Sequence, residues 1–387
     1  MYVKIPPGAA CLKFSRVGRV RPLKRMTLLD VVRVLCCEAA LNQRWYRVNY
    51  ALCPKGQRAL LYWRGIFVIN MPMDVLSQHP VRKSKKQKRA FLEDVCQYAQ
   101  QLGYKTAVER GRFGCNNIVI GDPSSAEYLI TAHYDTCARM LIPNLITPCN
   151  FLTFLLYQLL AVLVVFAPAI VIDVVLLLIL EDADLAFSVG YLVMWLCLLL
   201  MLFGPANKQN ANDNTSGVVA VLEIAKSFPQ IQRSKVCFVL FDLEEAGLVG
   251  SASYQRTHKK ETANQIVLNL DCVGDGSELL FLPGKTLRKD MCFMDALRKT
   301  AGEYGTRSIR IHEQGFCIYP SDQNSFPLGL GIAAMHKIKH NLLYLSRIHT
   351  AKDTILDITN INILRACLIS LICNHVVNKK GNEHETV

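Results

Sequence analysis

Residues 235–251 read KVCFVLFDLEEAGLVGS: an unbroken apolar run from Val236 to Phe241, then Asp242 and Leu243, then two adjacent glutamates, Glu244 and Glu245. Six apolar residues in a row suit a strand buried on both faces, the kind that fills the middle of a parallel sheet. The layout recurs on either side. In YLITAHYD (128–135) an apolar run delivers His133 and Asp135, and in IVLNLDCVGD (266–275) another delivers Asp271. A further short strand is expected over 117–120. Helical spacing appears over 84–102, where a basic start (Lys85, Lys86, Lys88, Arg89) precedes Phe91, Leu92, Val95, Tyr98 and Leu102, and again over 215–228. Strands alternating with helices predict an α/β fold with a mixed, largely parallel central sheet flanked by helices. Polar residues at the carboxyl ends of such strands stand where open α/β sheets build their sites.

One interruption is larger than any loop. Between His133 and the next polar cluster, ANDNTSG (211–217, with Asp213), lies an apolar insert running from about Phe151 to Phe203. Residues 151–180 hold one charge, Asp173, and residues 185–203 hold none. About 20 apolar residues, rising ~1.5 Å each, cross a hydrocarbon core ~30 Å thick, so both stretches suffice. Pro168 and Asp173 predict that the first span is kinked, tilted or ends early. The alternative is a buried helical hairpin in a soluble protein. Two spans return the chain to the side it left, as a site built from both flanks requires. The connector holds Glu181, Asp182 and Asp184 but no Lys or Arg, whereas Arg139 and Lys208 flank the other end, which by the positive-inside rule puts the main domain in the cytosol. The expected organisation is a basic segment 1–72, a domain split into 73–147 and 205–387, and a transmembrane hairpin 148–204 in contact with lipid over 151–203.

The formal charge of +13 on 387 residues suggests nucleic acid at first sight. Its distribution excludes that. Residues 1–72 hold thirteen Lys and Arg against Asp30 and Glu38, net +11, which leaves +2 for the rest. That segment lacks both a sustained periodicity and a signal-peptide layout, because Asp30, Arg33 and Glu38 interrupt its apolar stretch. One reading is a basic, weakly ordered arm placed to touch anionic lipid; the favoured one is that it lies outside the functional protein, with translation starting at Met73. The fifteen cysteines are scattered, without a CxxC pair or a Cys/His zinc spacing, and a chain this rich in apolar residues needs no disulfide framework. Cys137 and Cys272, close to the polar clusters, read as buried free thiols.

The polar clusters carry the chemistry. Carboxylates and imidazoles without thiolates suit zinc or another borderline divalent ion. Two ions ~3.5–4 Å apart need a bridging carboxylate and favour ionisation of a shared water. Adjacent Glu244 and Glu245 point in different directions, so one can bind metal while the other takes a proton.

At these positions the sequence resembles the M28 family of zinc peptidases, aminopeptidases built on a phosphorylase/hydrolase-like fold. The family's HxD, (D/N)DNxSG, EExGLxGS, NxDxxG and HTxxD appear as His133-Tyr134-Asp135, Asn212 through Gly217, Glu244 through Ser251, Asn269 through Gly274 and His349 through Asp353. The resemblance covers roughly residues 81–377 apart from the hairpin. It implies two Zn2+ ions, with Co2+ or Mn2+ as substitutes, bridged by Asp213. His133 and Asp271 complete one site, Glu245 and His349 the other. Glu244 is the implied general base and Asp135 the carboxylate that orients His133. The implied activity is hydrolysis of a peptide substrate, as an aminopeptidase embedded in the membrane; no oligomeric state is implied. Within the same fold, a glutaminyl-cyclase-like acyltransferase works with one zinc, and a non-catalytic scaffold loses ligands, whereas all are present here. Ser321-Asp322-Gln323 departs from the Ser-Asp-His of many relatives, which bears on substrate positioning, and Tyr319 reads as packed rather than substrate-facing.

Deleting residues 1–72 is expected to leave peptidase activity unchanged when the truncated and full-length proteins are assayed side by side. An insoluble or inactive truncation counts against this reading.

Overall fold

The computed structural model describes Pro72 and residues 74–140, 144–304, 307–338 and 342–385. The basic segment 1–72 lies, but for Pro72, outside the described residues. Nine strands among them form one sheet: β1 (Thr106–Arg110), β2 (Asn116–Ile120), β3 (Tyr128–His133), β4 (Val236–Phe241), β5 (Ile266–Leu270), β6 (Glu278–Pro283), β7 (Ser308–Ile311), β8 (Gly329–Lys337) and β9 (Leu343–Tyr344). Their order is β1-β2-β4-β3-β5-β8-β6-β7, with β9 paired to β8. The central four, β4-β3-β5-β8, run parallel, while β2 joins β4 and β6 joins β8 antiparallel. The architecture is thus the expected mixed sheet with a parallel centre.

Every residue of β3, β4 and β5 is buried, as their unbroken apolar runs predict. Register sets their ends level: His133 pairs with Phe241, Thr131 with Asn269, and Leu270 with Ile332. All three strands therefore release their polar residues along one edge of the sheet.

Helices cover the faces. The amphipathic helix Lys85–Gln101 is capped by Ser84, which accepts from the Gln87 N–H while Gln87 reaches back to the Ser84 N–H. Its buried face, Phe91, Val95, Tyr98 and Ala99, has the spacing read from sequence. A helix at Gly217–Ser227 is almost wholly buried against β3, β5 and the last helix, Ile358–Glu385. It starts in close contact with the end of β5: a Cβ at Gly217 would stand 2.3 Å from the Leu270 carbonyl oxygen. That approach brings the preceding loop, with Asp213, beside Asp271.

The insert forms two helices, here α1 (Phe151–Leu180) and α2 (Ala183–Phe203), which pack on each other. Asn150 caps α1 by accepting from the Thr153 N–H at 3.0 Å, and Asp182 caps α2 by accepting from the Leu185 N–H at 3.0 Å. Glu181, at φ 56°, turns the chain between them. The first helix does not end early: it runs through Pro168 to Leu180, long enough at ~45 Å to exceed a bilayer core. Mean hydropathy is 3.1 for α1 and 2.4 for α2, and in each the most apolar window is only 11% buried. Both are long and apolar enough to cross a membrane, and neither is mostly buried as a helix of a soluble core would be. At the root the two flanks pair with each other, with the Arg139 N–H donating to the Pro205 carbonyl at 2.8 Å and the Asn207 N–H to the Cys137 carbonyl at 3.0 Å. The chain leaves and re-enters the main domain at one place.

Asp173 is tucked against α2. Its carboxylate covers Gly190, where an added Cβ would lie 1.7 Å from Oδ1. Small residues of this kind let apolar helices approach closely. Gly190→Leu should separate the helices at a cost of about 1–3 kcal/mol, read as a lower unfolding temperature in detergent with Gly190→Ala between it and the native protein. Equal stability of all three would show that this contact does not hold the hairpin together.

Candidate metal centre

Each polar residue reaches the centre by a local device. Beyond β3 the Tyr134 N–H donates to the Phe241 carbonyl at 2.9 Å, so the ladder continues and His133 stays level with the end of β4. Leu243, at φ 55°, turns the chain after β4 and presents Glu244 and Glu245. Beyond β5 the Asp271 N–H donates to the Ile332 carbonyl at 3.0 Å, and Cys272 turns at φ 56°. His349 sits at φ 59°. Non-glycine residues in this left-handed region are uncommon and cluster at functional sites. Three of the six among the described residues are these.

Asp213 lies in the loop Ala211–Ser216, ahead of the Gly217 helix. Asp353 fixes that loop by accepting from the Asn212 N–H at 2.6 Å and the Asp213 N–H at 3.0 Å. Burial, with the Asp213 charge nearby, pushes the Asp353 carboxyl up to about 8, against those two donors.

The resulting geometry has two lobes about one carboxylate. On one side, His133 Nε2 lies 3.3 Å from Asp213 Oδ1 and 3.5 Å from Asp271 Oδ1. On the other, His349 Nε2 lies 2.9 Å from Asp213 Oδ2 and 3.4 Å from Glu245 Oε2. Glu244 Oε2 stands at the edge of the first lobe, 3.9 Å from His133 Nε2, with its side chain 13% exposed. Asp135 Oδ1 lies 3.5 Å from His133 Nδ1 and also accepts from the Glu244 N–H at 3.0 Å, while Oδ2 accepts from the Glu245 N–H at 3.4 Å. All seven residues singled out in the sequence meet here.

The electrostatics call for positive charge. Buried oxygens Asp271 Oδ1 and Glu245 Oε1 have no hydrogen-bond partner among the described residues, and a carboxylate oxygen in that position is costly unless a cation faces it. Burial alone would raise Asp213, yet hydrogen bonds with His133 and His349 hold its carboxyl well below the usual range. Burial opposes protonation of both imidazoles, but Glu244 and its neighbours raise His133, and Glu245 and Asp213 raise His349, well above the usual range. The carboxylate ring thus pulls protons onto two histidines. A divalent cation held by these residues would supply the same charge in place of those protons, so the donor set fits metal. Burial pushes Glu244 well above the usual carboxylate range; His133 opposes this, and Glu245, Asp322 and Asp271 add to it. Cys137 and Cys272 border the two lobes, but burial keeps their thiols protonated, in accord with their reading as inert thiols.

Three supporting residues were not assigned a role from sequence. Asp353 was visible only as the last letter of a motif. Asp322 is fully buried, has both carboxylate oxygens without a hydrogen-bond partner among the described residues, and is pushed up to about 7 by burial. Its signal was the Ser321-Asp322-Gln323 triplet. In that triplet Gln323 is buried, accepting from Asn269 and donating to the Tyr319 carbonyl. Arg82 is wholly buried below the centre, donating to the Tyr134 and His79 carbonyls and to Thr215 Oγ1, and so ties β3 to the Asp213 loop. Nothing in the sequence sets it apart from its basic neighbours. Tyr319 is packed, its hydroxyl donating to the Asp271 carbonyl at 3.2 Å.

Residues 199–370 match the model of peptidase family M28, the family that the motifs resemble. The match takes in Asp213, Glu244, Glu245, Asp271 and His349 and begins after His133. No curated protein matches the chain. Among solved structures, the LapA aminopeptidase of Legionella pneumophila is similar at 14% identity over 78% of this chain and 69% of that one, with a TM-score of 0.47. A Zn-dependent exopeptidase from Parabacteroides distasonis is similar at 14% identity over 78% and 94%, also at 0.47. The glutaminyl cyclase of Tannerella forsythia is similar at 15% identity over 78% and 94%, at 0.45.

Removing the brace behind Asp213 should be felt as metal affinity. Asp353→Ala is expected to weaken metal binding about 10–100-fold, measured by chelator competition, with the circular dichroism of the fold retained. Unchanged affinity would mean that the Asp213 loop holds its shape unaided.

Proposed function

We propose that this chain, whose residues 199–370 match peptidase family M28, is a di-zinc metallopeptidase of the aminopeptidase kind, anchored in a membrane by the hairpin with its catalytic domain on the cytosolic side. The observation that carries the reading is Asp213, whose two oxygens face separate imidazole–carboxylate lobes. A carboxylate so placed suits a bridge between two ions. His133 and Asp271 would hold one zinc, and Glu245 and His349 the other.

Zinc held by these residues would polarise the peptide carbonyl and lower the pKa of the attacking water. The residues do the rest. Glu244, unshared with the His349 lobe and partly exposed, takes the proton of the attacking water and passes it to the departing amine. Asp135 faces His133 Nδ1 and keeps Nε2 directed at the lobe. Through its two backbone acceptor contacts the same carboxylate also sets Glu244 and Glu245.

Charge at the two ends of the hairpin supports the orientation. Arg139 and Lys208 flank its root, and Lys83 Nζ donates to the Leu202 carbonyl there at 3.3 Å, whereas Glu181, Asp182 and Asp184 lie at the tip.

Glu244→Gln is expected to lower turnover by about 10²–10⁴-fold while both ions remain bound. The assay is hydrolysis of free and N-blocked aminoacyl peptides, with metal content measured on the same samples. Near-native turnover in the variant would remove Glu244 from the mechanism, one ion per native chain would favour the cyclase chemistry, and cleavage of blocked peptides alone would reject the aminopeptidase.

A further inference from the structure

A second cluster of metal-ligand side chains stands apart from the carboxylate centre. Cys149, His312 and Cys317 each offer a ligand atom within 4.8 Å of the others. Cys149 directly precedes Asn150, the cap of α1; His312 directly follows β7; and Cys317 lies in the segment leading to Tyr319. The segments are already in register, since the Ile318 N–H donates to the Pro148 carbonyl at 3.0 Å and Phe316 packs on Phe151 at 5.2 Å.

Two observations point to an ion here. Nε2 of His312 is buried with no hydrogen-bond partner among the described residues. The sulfurs are 4.0 Å apart, far from the ~2.05 Å of a disulfide and close to the roughly 3.8 Å that separates two sulfurs on one tetrahedral zinc with ~2.3 Å bonds. Two sulfurs and one imidazole are a soft donor set, unlike the carboxylate–imidazole lobes, and with water in the fourth position they suit zinc.

We propose that Cys149, His312 and Cys317 form a separate zinc site that staples the root of the hairpin to the segment leading to Tyr319 and the Ser321-Asp322-Gln323 turn. Binding releases the protons of the two thiols and leaves both as thiolates. The site does not depend on how many ions the Asp213 centre holds, because its donors are different residues.

The test uses the full-length chain loaded with Co2+. Thiolate ligation gives an intense near-ultraviolet charge-transfer absorption that carboxylate and imidazole ligands do not produce. The native protein is expected to show it. The Cys149→Ser/Cys317→Ser double variant should lose it together with one equivalent of bound metal, and keep the visible cobalt absorption of the Asp213 centre. Cys149→His, which replaces one thiolate by an imidazole, should keep the equivalent with a weaker band, a result that a purely structural role for the cysteine would not give. His312→Ala should bind the ion more weakly with the band retained. The proposal is overturned by an absent band in the native protein, by a band and metal content unchanged in the double variant, or by a Cys149–Cys317 disulfide found after alkylation of free thiols in protein isolated without reductant.

Discussion

Asp213 presents its two carboxylate oxygens to different histidines, 3.3 Å from His133 and 2.9 Å from His349, inside a pocket that also buries Asp271 and Glu245. Such a concentration of negative charge is tolerable only if positive charge is held among it, and much of the surrounding structure serves that end. The parallel register of β3, β4 and β5 brings three polar strand ends to one edge. Asp353 accepts the two backbone N–H groups that set the loop, and the contact of Gly217 with the Leu270 carbonyl seats that loop beside Asp271. Below, the Arg82 guanidinium contributes a fixed charge and three hydrogen bonds.

The same constraint governs the insert. His133 lies before the hairpin and Asp213 after it, so the helices must leave and return at one point for the pocket to close. The backbone pairing of residues 137–139 with 205–207 accomplishes this within a few residues of both. Thus some fifty apolar residues are accommodated without moving the site, because the main domain meets only the root of the hairpin. The root also adjoins the centre, the Met140 N–H donating to the carbonyl of His349 at 2.8 Å.

Electrostatics separates the roles of neighbouring groups that share one chemistry. Glu244 and Glu245 are adjacent, yet Glu245 faces His349 at 3.4 Å while Glu244 faces the His133 side at 3.9 Å. Burial and nearby carboxylates favour the protonated form of Glu244, a bias that would suit the proton-transfer role proposed for it. Cys137 and Cys272 adjoin the same pocket but stay protonated thiols, whereas the sulfurs of Cys149 and Cys317 face each other beside arginines.

Much of this was legible in the sequence, because burial on both faces and helical amphipathicity leave local signatures. The runs ending at His133, Phe241 and Leu270, the helix of Phe91 and Val95, and the two apolar spans were each marked by their own residues. So was the set of candidate ligands, through the motifs that resemble family M28, although only His133 and Asp271 stand at strand ends and Asp213 lies in a loop ahead of a helix. The distal strands were not: β8 draws on Gly and Ala, and β1 and β7 are short partly exposed edges, so neither composition nor alternation distinguishes them. Tertiary structure alone decided which lone residues became partners. Arg82 meets Thr215, Asp353 meets the Asp213 loop, and His312 meets Cys149 although each pair is more than a hundred residues apart, because sheet order and the return of the hairpin bring those segments together. Short-range patterns report burial and periodicity, and they hold no record of which distant side chain will complete a hydrogen bond, a charge pair or a coordination sphere.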